Sequence, residues 1–179
     1  MPNWCNNTVE IRHADPAMIE RVRTAFNGDG LLQEFIPVPE ELRNTVADHS
    51  TNEELVAKYG YSDWYGFCVN EWGTKWEIGA DGNPAQDIPG GLMLGFDSAW
   101  APPIAAYEKL RLMGFEIRAM YNESGMCFAG IWEDGIDDYY EYDSLNSTEV
   151  AEQLPAELDE AFGISETMAE YEEEENQDE

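Results

Sequence analysis

Asn70-Glu71-Trp72-Gly73-Thr74-Lys75-Trp76, with Phe96-Asp97-Ser98-Ala99-Trp100-Ala101-Pro102-Pro103 closing the same stretch, decides how this chain folds. Tyr65, Cys68, Val69 and Trp72 fall at helical spacing over residues 62–72, and Gly73 follows where a helix end wants a left-handed residue. A strand is expected to begin at Trp76–Gly79. Asp81-Gly82-Asn83-Pro84 then turns the chain, and Leu92, Leu94 and Phe96 alternate on a second strand. Pro102-Pro103 starts a helix with Ile104, Tyr107 and Leu110 on one face and Gly114 at its end. The stretch therefore predicts helix, strand, strand, helix.

Working outward, Asn3–His13 alternates as a strand. Asp15-Pro16 caps a helix whose apolar face is Met18, Ile19, Val22, Ala25 and Phe26, closed by Asn27-Gly28. Leu31–Leu42 holds Phe35-Ile36-Pro37-Val38-Pro39, an extended piece that its two prolines exclude from a central strand. Thr51-Asn52-Glu53-Glu54 has the form of a capping box opening a short helix that ends near Gly60. Beyond the central stretch, Phe115–Tyr121 alternates and Asn122-Glu123-Ser124-Gly125 is a hairpin turn with Gly125 where a left-handed residue is wanted. Met126–Trp132 returns, and Ile136–Tyr142 adds an edge strand. Pro155–Phe162 predicts a short helix, and everything from Ser165 on reads as a solvated acidic tail. The fold class expected is α+β: a ferredoxin-like antiparallel sheet, β-α-β-β-α-β, with two helices packed on one face. It would occupy residues 1–143, with a helical excursion at about 40–72. An acidic extension would follow over 144–179, partly helical and then flexible. The second sheet face would be left for the extra helix or a partner.

The charge narrows the partners. The chain has 38 acids against 9 bases, net −29. Residues 1–118 carry 18 acids and 9 bases, a net of −9, while residues 119–179 carry 20 acids and no base, a net of −20. Such a chain lacks the Lys and Arg needed to replace counterions on DNA, RNA or an anionic membrane, and its electrostatics favour a basic partner. A hydrophobic fraction of 43% and a length of 179 residues suffice for one real core. Cys5, Cys68 and Cys127 are odd in number and lack C-x-x-C spacing, which reads as free thiols in a reducing compartment. With no leader-like start and no membrane-length apolar run, a cytoplasmic location is expected.

Four motifs carry a resemblance: Pro2-Asn3-Trp4-Cys5-x-Asn7, Trp72-Gly73-Thr74-Lys75-Trp76, Phe96–Pro103, and Tyr121-x-Glu123-x-Gly125-x-x-Phe128-Ala129-Gly130. In this order they resemble the YubB-like family of plasmids and bacteriophages, described as having a ferredoxin-like domain. The resemblance runs to about Tyr142 and implies a mobile-element origin. It implies no catalytic residues, and the acidic extension lies outside it.

Two constellations bear on function. Glu133, Asp134, Asp137, Asp138, Glu141 and Asp143 crowd one hairpin. Held in place, they would act as phosphate surrogates toward a basic host or defence protein such as a restriction or CRISPR-type nuclease. They lack the spacing of a calcium loop, and their plainer reading is a solvated edge strand that blocks aggregation. Trp72, Lys75, Trp76 and Trp100 would form a pocket for a small ligand or nucleotide, with indoles stacking on a ring and Lys75 meeting a phosphate. The plainer reading there is indoles filling the groove between helix and sheet. Ser98 is not in a G-x-S-x-G context, and His13 and His49 have no ligand spacing to the cysteines, so no metal, cofactor or nucleophile is expected. The expected function is a non-enzymatic acidic binding protein that inhibits a nucleic-acid-binding partner by mimicry, with the tryptophan pocket as the alternative.

Overall fold

A computed structural model describes residues 3–48 and 50–177, with side chains through Glu174; His49 lies outside the described residues. The fold is α+β, built on a six-stranded, wholly antiparallel open sheet. The strands are β1 (Trp4–Arg12), β2 (Gln86–Ile88), β3 (Gly91–Ala99), β4 (Glu116–Glu123), β5 (Phe128–Glu133) and β6 (Ile136–Glu141), in the spatial order β2-β3-β1-β4-β5-β6.

Alternation gives the sheet two faces. Cys5, Val9 and Ile11 of β1, Leu92, Leu94 and Phe96 of β3, and Ile117, Ala119 and Tyr121 of β4 point to one face and form the main core. Over them lie α1 (Pro16–Asn27), through Ile19, Val22 and Phe26, and α6 (Ile104–Leu112), through Ala106, Tyr107 and Leu110. Asp15 caps α1 by accepting the Ala17 N–H at 2.9 Å, with Pro16 at the first helical position. Between α1 and β2 the chain forms α2 (Leu31–Phe35), α3 (Glu40–Arg43), α4 (Glu53–Tyr59) and α5 (Trp64–Glu71). The opposite face is covered over β4 and β5, where Ala129 and Ile131 meet Val150, Leu154, Leu158 and Ile164. These come from α7 (Ser147–Gln153), the α7–α8 turn, α8 (Ala156–Phe162) and the start of α9 (Ile164–Gln177).

Several local expectations are corrected. No strand begins at Trp76. The Glu77 carboxylate instead accepts the N–H groups of Leu32 (2.6 Å) and Gln33 (2.7 Å), which ties the segment to the start of α2, and the strand preceding β3 is the short β2. Phe35, expected to open the extended piece, instead closes a short helix because Leu31, Leu32 and Phe35 share one buried face; the segment holding Pro37 and Pro39 is extended as expected. Asn52, not Thr51, caps α4, accepting the Leu55 N–H at 3.2 Å. The left-handed residue after α1 is Asp29 (φ 54°), and the one in the β4–β5 turn is Cys127 (φ 53°) rather than Gly125. The acidic run from Glu170 is largely exposed but helical, as part of α9, and a further helix, α7, opens on a capping box formed by Asn146 and Glu149. These helices, not one from the excursion, cover the second face.

Candidate functional site

The site grows from the end of α5. Trp72 is buried, and its Nε1–H donates to the Ile36 carbonyl at 2.8 Å. Gly73 follows at φ 85°, and a β-carbon there would lie 3.1 Å from the backbone nitrogens of Ile104 and Ala105. Both conformation and close approach therefore require glycine. Thr74 Oγ1 donates to the Ala99 carbonyl at 3.0 Å and accepts the Ala99 N–H at 3.1 Å, fastening this loop to the end of β3. The loop is anchored on both sides of the side chains that it presents.

Lys75 and Trp76 come next. The Lys75 ammonium lies 4.6 Å from the Trp76 ring centre, 5.2 Å from that of Trp100 and 5.9 Å from that of Tyr65. Trp76 packs against Trp4 with centroids 5.7 Å apart, and Tyr65 meets Trp100 edge-on at 6.4 Å. Trp4, Trp76 and Trp100 are 46%, 38% and 42% exposed, so three large indoles stand open to solvent in one patch. A cluster of this kind marks an interaction site more often than isolated exposed apolar residues do. Trp100 is also strained. Its φ is 68°, a region that costs a residue with a β-carbon about 1–2 kcal/mol. It is held there by its N–H donating to the Asn3 carbonyl at 2.9 Å, while Ser98 Oγ donates to the Ala101 carbonyl at 2.7 Å. Ser98 in turn accepts from Asn7 Nδ2 at 2.9 Å, so its hydroxyl ties the turn to β1.

Two clefts meet at Lys75. One, of about 500 Å³, is walled by Trp64, Trp72 and Trp76, with Arg43 and Lys75 as its cations. The other, of about 550 Å³, runs along Trp64, Tyr65, Lys75 and Trp100. The electrostatics single out the first. Seven of the nine cations are ion-paired: Arg12, Arg21, Arg23, Lys58, Lys109, Arg111 and Arg118 each lie within reach of one or two carboxylates. Among the described residues, Arg43 and Lys75 have no such partner; Arg43 donates only to the Val38 carbonyl at 3.2 Å. In a chain with 38 acids, the two unpaired cations line the same aromatic cleft. Two anionic groups also line it, Asp29 and Glu77. Burial pushes the Glu77 carboxyl above its ordinary range, and its three backbone N–H bonds offset only part of that. Burial likewise pushes the Cys68 thiol in the cleft wall up to about 12, which keeps it neutral.

The sequence grouped Trp72, Lys75, Trp76 and Trp100. The structure keeps Lys75, Trp76 and Trp100 together at the surface and puts Trp72 into the core as a wall. It adds Arg43, Trp64, Tyr65 and Trp4. Arg43 gave no signal beyond being a base beside Glu40 and Glu41, and its approach to Lys75 depends on how α3 packs on α5.

The acidic hairpin is ordered, but four of its six carboxylates are engaged. Asp134 accepts the Ile117 N–H at 3.2 Å, and Asp137 accepts the Tyr121 hydroxyl at 2.7 Å. Glu133 lies 3.6 Å from Arg118, and Glu141 accepts from Tyr139 at 3.3 Å. Among the described residues, Asp138 and Asp143 make no hydrogen bond or ion pair through their side chains. No three His, Cys, Asp or Glu side chains converge in a group that could hold a metal ion among the described residues. His13 accepts the Asp15 N–H at 2.9 Å and lies against Phe115. No helix among the described residues is long and apolar enough to cross a membrane.

No protein-family model matches the chain, and no curated protein matches it. Among solved structures it is similar to a crystal structure of the protein api92 from Yersinia pseudotuberculosis, of family model DUF1281. The identity is 13%, the match covers 81% of this chain and 99% of that one, and the TM-score is 0.43. At that identity and score the likeness bears on neither the family nor the function of this chain.

Proposed function

We propose that the protein is a non-enzymatic binding protein whose tryptophan-walled cleft takes a small ligand with a planar ring and an anionic group, the chemistry of a nucleotide. One observation carries this reading: the two cations without carboxylate partners, Arg43 and Lys75, line one cleft with Trp64 and Trp76. An anion would neutralise both, and an indole would stack on the ring. Salt should act in an uncommon direction. The net charge of −29 repels an anion at long range, and this repulsion is screened beyond about 8 Å at physiological ionic strength. Moderate salt should therefore improve binding relative to very low salt. Tryptophan fluorescence titrated with the nucleoside monophosphates tests the reading. A saturable quench that survives salt and is lost in Arg43→Met and Lys75→Met supports it; no saturable response to any of them overturns it.

A second reading keeps the acidic surface as the functional one, engaging a basic host or defence protein as a nucleic-acid mimic. What favours it is that α7–α9 carry their carboxylates on ordered helices packed against the sheet. Here added salt must weaken retention of the partner throughout, which separates the two readings. We also read the fold as ferredoxin-like. The order β2-β3-β1-β4, with α1 between β1 and β2 and α6 between β3 and β4, is what supports this. Kinship with the YubB-like proteins of phages and plasmids rests on the four motifs. Three of these meet in space through the Trp4–Trp76 contact, the Thr74–Ala99 bonds and the Asn7–Ser98 bond.

A further inference from the structure

The sheet ends on one side at β2, three residues long, and on the other at β6, six residues long, with no further strand beside it among the described residues. The direction of each β6 backbone group follows from the turn. Asp134 (φ 46°) and Gly135 (φ 100°) form a two-residue hairpin loop, so the flanking pair Glu133 and Ile136 is a hydrogen-bonded pair. Ile136, Asp138 and Tyr140 then bond to β5. The same parity carries on to Tyr142, whose N–H donates to the Cys127 carbonyl at 2.8 Å. Asp137, Tyr139 and Glu141 are left directing their N–H and C=O groups away from the sheet.

We infer that this edge accepts an extended, lysine- or arginine-rich segment of a partner protein as a seventh, antiparallel strand. The unpaired backbone groups make the site, and the flanking charges choose the occupant. Asp137 and Glu141 lie on one sheet face and Asp138 on the other, so cations on either side of an added strand meet carboxylates. A second copy of β6 would set acids against acids and is repelled. Edge carboxylates also deter aggregation, but that role does not account for Ile136 and Tyr139, 69% and 48% exposed on the same strand, which offer an added strand apolar contacts. The inference is independent of the cleft and requires no nucleic-acid mimicry.

The test uses the full chain and a short peptide of alternating lysine and valine, with amide hydrogen exchange followed residue by residue. Exchange is expected to slow about tenfold or more at Asp137, Tyr139 and Glu141, while Asp138 and Tyr140, already bonded to β5, stay unchanged. Binding without this alternation is charge condensation on an acidic surface and overturns the inference, as does no binding at low salt. Concentration-dependent dimerisation protecting the same three amides without peptide assigns the edge to a second copy and overturns it too. Tyr139→Ala and Tyr139→Pro lose the same ring and its hydrogen bond to Glu141, but only proline also removes an outward N–H, leaving the β5 ladder intact, and it should cut peptide affinity about tenfold below Tyr139→Ala. Equal affinities in the two folded variants overturn the inference.

Discussion

Replacing Lys75 by methionine keeps the aliphatic stem and deletes the charge, and the structure assigns that charge little stabilising work. Lys75 is half-buried, and its ammonium has no carboxylate partner among the described residues and lies over aromatic faces at 4.6–5.9 Å. Cation–π contacts of this exposure are worth about 0.5–1 kcal/mol, and methionine retains most of the packing, so unfolding free energy should fall by about 1 kcal/mol or less. The cost to an anionic ligand is larger. A unit charge at about 4 Å and an effective dielectric near 20 has a Coulomb energy of about 4 kcal/mol. After solvent exchange a charged hydrogen bond retains about 1.5–3 kcal/mol. At about 1.4 kcal/mol per decade this is roughly a 10- to 150-fold loss of affinity. Urea unfolding and a fluorescence titration with AMP, run on the same preparations, measure both terms. A loss of several kcal/mol in stability would make Lys75 a structural residue. Unchanged affinity alongside unchanged stability would remove it from the site. Either result refutes the assignment of the cleft.

Three further outcomes are expected. Trp72→Phe leaves the Ile36 carbonyl without its donor and a gap where the indole was, and should cost about 2–4 kcal/mol in urea unfolding; a loss under 1 kcal/mol would mean that Trp72 is not core. At position 100 the left-handed backbone reverses the usual preference, so Trp100→Gly should be more stable than Trp100→Ala by about 1 kcal/mol, and equal stabilities would remove the strain argument. The Glu71 carboxyl is held below its ordinary range by Lys109 and then by the Tyr61 hydroxyl. Its folded pKa is thus depressed, so its stabilisation is present above the ordinary carboxylate pKa and is lost as pH falls through the folded value. The stability gap between the native chain and Glu71→Gln should be open at neutral pH and close on acidification. A gap that does not depend on pH would contradict this. The Tyr61 hydroxyl, pushed up to about 12 chiefly by the same carboxylate, should titrate nearer its ordinary value in Glu71→Gln.

Residue spacing and turn chemistry by themselves determined α1 and its Asp15 cap, the alternation of β1, β3 and β4, the start of α6 after Pro102-Pro103, and the concentration of charge beyond Arg118. Each of these follows from contacts within a few residues, which periodicity and capping report directly. Tertiary structure alone decided the rest. Glu77 belongs to the start of α2 rather than to a strand because the N–H groups that it accepts lie far back in the chain. Trp72 is core while Trp76 and Trp100 are surface because Gly73 turns the chain between the first two and the backbone of Trp100 is forced left-handed. Lys75 and Arg43 stand apart from the other cations for the same kind of reason. Whether a base finds a carboxylate depends on which segments fold against it, as Lys109 on α6 finds Glu71 on α5, and no local pattern in the sequence encodes that meeting.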